Sequence, residues 1–73
     1  MATAVRAHIA GTVWKVEVDF DDQVEEGQTV VILESMKMEI PASAPQGGVV
    51  RRILVEQGEA IAEGQGLLIL ECN

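Results

Sequence analysis

Glu34-Ser35-Met36-Lys37-Met38-Glu39 is the stretch whose residue types and spacing could do chemistry. It sits at the middle of a 73-residue chain, with 36 residues on either side of Lys37. Val30-Val31-Ile32-Leu33 precedes it and Ile40 follows, which reads as two strands meeting at a tight turn with Lys37 at or beside the tip. Two-residue hairpins favour Asn-Gly or a similar pair, because both central residues take positive φ. Met and Lys have no such ease, and a turn made of poor turn residues marks function more often than folding. Taken alone, a lysine at a hairpin tip is an ordinary solvated residue; the rest of the chain has to raise it above that.

The elements that must hold this turn follow from an internal repeat. Displaced by 37 positions, Gly11 to Ser35 aligns with Gly48 to Cys72 without a gap, and nine of the 25 pairs are identical. They include Gly11/Gly48, Val13/Val50, Val18/Val55, Gly27/Gly64, Ile32/Ile69 and Leu33/Leu70. Each half, about 1–36 and 38–73, is then one supersecondary unit that cannot cover its apolar face alone, and two copies face to face close one core. Within a copy the reading is a strand (12–18, then 49–55), turns with a short extended piece (Gln23-Val24 in the first), and a second strand (29–35, then 66–72). Residues 4–9 and 38–43 are the remaining extended pieces. Val13 and Val50 fall out of step with the valines and isoleucines that follow, which predicts a bulge or strong twist. Trp14 corresponds to Arg51, which places it at the rim of the core. Asp21 corresponds to Gly58, a pairing expected where the backbone is left-handed, and positive φ is the simplest reason for Gly27 and Gly64. Pairing the strand that ends at Ser35 with the one starting at Met38 implies that the strand ending at Cys72 pairs near Ala2. Lys37 then stands at one pole and both termini at the other. The fold class is all-β: a flattened barrel or sandwich of two antiparallel sheets with a quasi-two-fold repeat, in one domain spanning 1–73.

Composition narrows the function. Five basic against twelve acidic residues give a net charge of −7, which repels nucleic acid instead of neutralising its phosphates. Aromatic residues are limited to Trp14 and Phe20, so Val, Ile and Leu must pack the interior. Cys72 is the only cysteine; it reads as structural filler, and a reducing, cytoplasmic setting fits best. No run of about 18 apolar residues predicts a membrane span, and the start of the chain has no signal-peptide pattern. His8, the only histidine, is expected on an early strand, half-exposed. No Cys/His cluster suggests a metal site, no glycine-rich phosphate loop is present, and the carboxylates are too scattered to nominate a catalytic pair.

Met36-Lys37-Met38, preceded by Glu34 and the small Ser35, closely resembles the attachment sequence of biotinyl carrier domains. The resemblance extends over essentially the whole chain. The family pattern of Gly, apolar strand, Gly-Asp-x-Val-x-x-Gly-Gln and apolar strand is visible from Gly11 to Leu33, with Asp21 where Gly is usual. His8-Ile9-Ala10 replaces the usual Ala-Pro before the first Gly, and the chain is most similar to free-standing bacterial biotin attachment proteins. The resemblance implies that Lys37 carries biotin through an amide bond. It further implies that Glu34, Ser35, Met36, Met38 and Glu39 form the turn and its recognition surface for a biotin protein ligase. The biotin arm would carry a carboxyl group between biotin carboxylase and carboxyltransferase subunits. The chain would be a carrier and no enzyme in itself, and the isolated protein is expected to be a monomer with no membrane or nucleic-acid partner. One of the two flanking methionines is expected to fill the end of the barrel, and Lys15, mid-strand, to stay unmodified. Two other readings stand beside this one. Lipoyl carriers resemble the same fold but usually have Asp before the modified lysine, where Met36 stands here; and the chain could be an unmodified binding or structural module.

Overall fold

The computed structural model of the protein describes residues 1–72. Eight strands make it up: β1 (Ala2–Arg6), β2 (Gly11–Val16), β3 (Gln23–Val24), β4 (Thr29–Ser35), β5 (Met38–Ser43), β6 (Gly48–Ile53), β7 (Ala60–Ile61) and β8 (Gly66–Cys72). They form two four-stranded sheets, ordered β1-β8-β6-β3 and β5-β4-β2-β7, and every pairing is antiparallel. The two halves interlock instead of contributing one sheet each. β3 leaves β2 and β4 to pair with β6, and β7 leaves β6 and β8 to pair with β2.

The repeat is more complete in space than in sequence. Every buried apolar residue except Cys72 has a buried apolar mate 37 positions away: Val5 with Ala42, Ala7 with Ala44, Val13 with Val50, Val18 with Val55, Val24 with Ile61, Val30 with Leu67, Val31 with Leu68 and Leu33 with Leu70. The repeat thus reaches back into β1 and β5, beyond the stretch where identities reveal it. All these residues join a single cluster, so the core lies on the axis relating the halves and belongs to neither. Cys72 is buried within it, as filler.

Two pairs of bulges explain where alternation fails. The register of β2 against β4 slips between Val13 and Lys15, and that of β6 against β8 between Val50 and Arg52. The extra residue leaves Trp14 and Lys15 both exposed in succession, and likewise Arg51 and Arg52. A second slip, between Thr29 and Val31 in β4, lets Val30 and Val31 both point inward, as Leu67 and Leu68 do in β8. Trp14 is therefore 44% exposed on the outer surface, not at the core rim as the sequence predicts.

Several strand bounds also differ from expectation. β2 and β6 stop at Val16 and Ile53, because the chain must then cross to the other sheet to form β3 or β7. β1 covers Ala2–Arg6, so His8 lies in a bend beyond it and is exposed, not half-exposed on a strand. The bounds of β3, β4, β5 and β8 match the reading from sequence. Asp21 has φ 75°, Gly58 φ 90°, and Gly27 and Gly64 both φ 86°, so each lies in the left-handed region.

Candidate attachment site at the Lys37 turn

The hairpin of β4 and β5 is closed by the pairs Leu33/Ile40, Glu34/Glu39 and Ser35/Met38. Only Met36 and Lys37 remain between the strands, and both have positive φ, 52° and 64°. This is the two-residue turn with the backbone twist that antiparallel strands prefer, made from residues that resist it. A left-handed conformation costs roughly 1–2 kcal/mol for a residue with a β-carbon. Elsewhere among the described residues positive φ falls only on Gly and on Asp21, so Met36 and Lys37 are the two ill-suited side chains.

Asparagine suits the first position of such a turn. Met36→Asn is therefore expected to raise stability by about 1 kcal/mol, read as a rise in melting temperature of roughly 4–8 °C for a domain of this size. An unchanged melting temperature would show that the turn stores no strain.

The two methionines do not divide as the sequence suggests. Met36 is 90% exposed and Met38 65% exposed, so neither fills the end of the barrel. Leu33, two pairs below the turn, is already buried in the core, and the turn projects past it. Ser35 is half-buried at the base of the turn, while Glu34 and Glu39 are exposed. These two carboxylates are direct cross-strand partners, an arrangement that like charges make unfavourable. Beneath them, a β-carbon on Gly11 would meet the Glu34 carbonyl oxygen. β2 thus lies hard against the hairpin and gives it a stiff base.

Lys37 is exposed, and among the described residues no salt bridge or hydrogen bond holds its ammonium group. Lys15, Arg51 and Arg6 are engaged: Lys15 Nζ lies 3.7 Å from Glu17 Oε1, Arg51 donates to Asp21 Oδ1 at 2.6 Å, and Arg6 donates to the Gly64 carbonyl at 3.0 Å. Arg52, which bears no amine, is the other cation without a partner among the described residues. An amide to an acyl group needs a primary amine with free approach, and Lys37 meets that need. At the far pole the same construction lacks the turn, since β8 pairs with β1 and the Cys72 amide donates to the Met1 carbonyl at 2.6 Å. Lys37 and the two ends of the described chain thus lie at opposite ends of a body 35 Å long. The site feature that motif reading passes over is the outer face beside Glu34, where Trp14 lies open; its signal in the sequence is the mismatch of Trp14 with Arg51 across the repeat.

Residues 1–70 match the family described as "Biotin-requiring enzyme". The chain is 48% identical over 66 residues to a biotin/lipoyl attachment protein of Bacillus subtilis (strain 168), covering 90% of each chain. It is 41% identical over 70 residues to the biotinylated protein TB7.3 homolog of Mycobacterium leprae, covering 96% of this chain and 99% of that one. Among solved structures, a single-chain, multi-domain long-chain acyl-CoA carboxylase superposes with a TM-score of 0.92 at 33% identity, over 99% of this chain and 7% of that chain. The urea carboxylase of Kluyveromyces lactis gives the same TM-score at 30% identity, over 97% of this chain and 6% of that one. With the family match running through nearly every strand and small relatives of the same extent, the chain belongs to the biotin-requiring enzyme family, as a biotin-carrying component that is not catalytic alone.

Proposed function

We propose that Lys37 is the residue that carries biotin, in amide linkage, and that Glu34, Ser35, Met36, Met38 and Glu39 form the turn read by the biotin protein ligase that attaches it. The observation that supports this most is an exposed amine, without a partner among the described residues, on a turn whose backbone Met and Lys adopt only at a cost. In the attachment step the Lys37 nitrogen attacks an activated biotinyl carbonyl. A nitrogen–carbon bond forms, the bond from that carbon to its leaving group breaks, and the ammonium proton passes to a base on the ligase. Attack needs the neutral amine, and no base stands by Lys37 in the described residues, so the ligase must supply it. Bound biotin supplies a ureido nitrogen that takes up and gives back a carboxyl group. Lys37 holds that group clear of the barrel, and docking near a biotin carboxylase and then a carboxyltransferase raises its effective concentration at each.

Intact mass and peptide mapping of the protein from its native host test the reading. The expected result is one biotinyl group, on the peptide containing Lys37, with Lys15 unmodified. The name of the Bacillus subtilis relative includes lipoyl attachment; the same mass separates lipoyl from biotinyl, and an unshifted mass in a host with active ligase would favour an unmodified module. The methionines carry a second expectation. Both are exposed, so Met36→Leu and Met38→Leu should leave stability within about 0.5 kcal/mol, as surface changes do, and slow biotinylation. An unchanged rate would remove them from recognition.

A further inference from the structure

We propose that the outer face of the β5-β4-β2-β7 sheet, centred on Trp14, Ile32 and Pro41, is the surface on which the enzyme that acylates Lys37 docks. The proposal rests on Lys37 being the attachment residue. Register places the group: Pro41 lies opposite Ile32, Ile32 opposite Lys15, and Trp14 is the bulge residue beside Lys15. One row nearer the turn, Glu39 lies opposite Glu34, Glu34 opposite Thr12, and Thr12 opposite Ala60. A patch that is apolar but for Lys15, whose ammonium lies 3.7 Å from Glu17 Oε1, is thus bordered, on the side of Lys37, by two carboxylates without an ion-pair partner among the described residues.

The repeat supplies a comparison within one molecule. On the other sheet the same backbone positions hold Ala4, Ile69, Arg52 and Arg51. There Arg51 is bonded to Asp21. The mate of Asp21 is Gly58, which has φ 90° and no side chain to reach Trp14. Both members of the pair are changed together, from a satisfied ion pair to an uncovered indole. Since Arg51 occupies the matching bulge, the fold has no need of an aromatic ring there. A half-exposed tryptophan that folding does not require, next to a like-charged pair that folding disfavours, has the make-up of a binding anchor with a charged rim. Its partner would present an apolar socket edged by Lys or Arg.

The acylating enzyme fits this surface better than the partners met later. Before biotin is attached, the reacting nitrogen is on Lys37 itself, and productive attack needs the atoms within about 3–3.5 Å. The body of the carrier must then be held accurately, and β4 and β5 run directly from the patch to the turn. Once the arm is in place, its flexible length tolerates looser docking. Phe20 is 65% exposed, but its loop packs by β6, in the sheet that does not end at Lys37: the Asp21 amide donates to the Val50 carbonyl at 2.7 Å.

The test is the steady-state biotinylation of the whole chain by its host's ligase at saturating biotin, with carrier concentration varied. Trp14→Arg and Phe20→Gln each install the residue found at the matching position of the other half. Trp14→Arg is expected to raise KM about tenfold or more, the loss typical of a buried aromatic anchor, with kcat and melting temperature kept. Phe20→Gln should change neither. If Trp14→Arg lowers the melting temperature, Pro41→Arg, which sets a positive charge on the exposed patch outside the turn, takes its place, with the same expected rise in KM. Wild-type KM in these variants, or an equal rise with Phe20→Gln, would overturn the docking face while leaving Lys37 as the attachment residue. Wild-type protein labelled elsewhere, or not at all, would overturn both.

Discussion

Replacing Lys37 by arginine is expected to abolish biotin incorporation completely while leaving the melting temperature unchanged. Arginine keeps the charge and a long flexible stem, but its guanidinium is never deprotonated in a protein and so offers no nucleophilic nitrogen. Lys37 is exposed and holds no partner among the described residues, so nothing in the fold depends on its ammonium. Avidin blotting and intact mass, after exposure to biotin and the host's ligase, read the first half of the expectation; thermal melting reads the second. Lys15→Arg should remain fully labelled, because Lys15 lies mid-strand beside Glu17 with no turn to present it. Any avidin signal left on the Lys37→Arg protein would place the attachment elsewhere and end the reading of the hairpin.

The largest effect on stability is expected from Leu70→Ala. Leu70 is fully buried, and truncating a buried leucine costs about 2–5 kcal/mol through lost transfer energy and the cavity left behind. A domain of this length has only roughly 4–11 kcal/mol in total. A loss of about 3 kcal/mol should lower the melting temperature by roughly 12–24 °C. Leu33→Ala, at the equivalent position of the other half, should cost the same to within about 1 kcal/mol, since both leucines are 1% exposed or less in one cluster. Urea denaturation of both variants tests more than the magnitude. Each should unfold in one transition followed equally by Trp14 fluorescence and by far-ultraviolet dichroism. Two separated transitions would mean that each half has a core of its own, contrary to the interlocked strands.

Much of this was legible in the sequence, and the reasons are particular. The glycines and repeated valines of Gly11–Ser35 and Gly48–Cys72 are held by backbone geometry, so identity survived there and exposed the repeat. A β-carbon on Gly48 would lie 2.5 Å from the Glu71 carbonyl oxygen, as one on Gly11 would strike that of Glu34. The slip after Val13 pointed to a bulge or a strong twist, and the register shift between Val13 and Lys15 shows it to be a bulge. The extension of the repeat into β1 and β5 was legible through the pairing it implies, Ser35 with Met38 and the end of β8 with the start of β1, although Val5 and Ala42 share a buried position but not a residue type. Not legible was the exchange of β3 and β7 between sheets, which depends on where two-residue strands find partners and leaves no periodicity to read. The strained turn was visible as a mismatch between Met-Lys and the two-residue loop. That both methionines point into solvent was not, because a methionine beside a barrel end suits the core and the surface equally. Cross-strand opposition of Glu34 and Glu39 follows from the loop length, once the turn is fixed at two residues.

The placement of the two ends of the described chain has a consequence for how such a unit can be wired into larger assemblies. Because both ends of the described chain leave from the pole away from Lys37, a leash attached to either one pulls from behind and leaves the Lys37 turn unobstructed. A body of this shape can therefore stand by itself, as in relatives of about its own length, or match only 6–7% of a longer polypeptide, without rebuilding the end that carries Lys37.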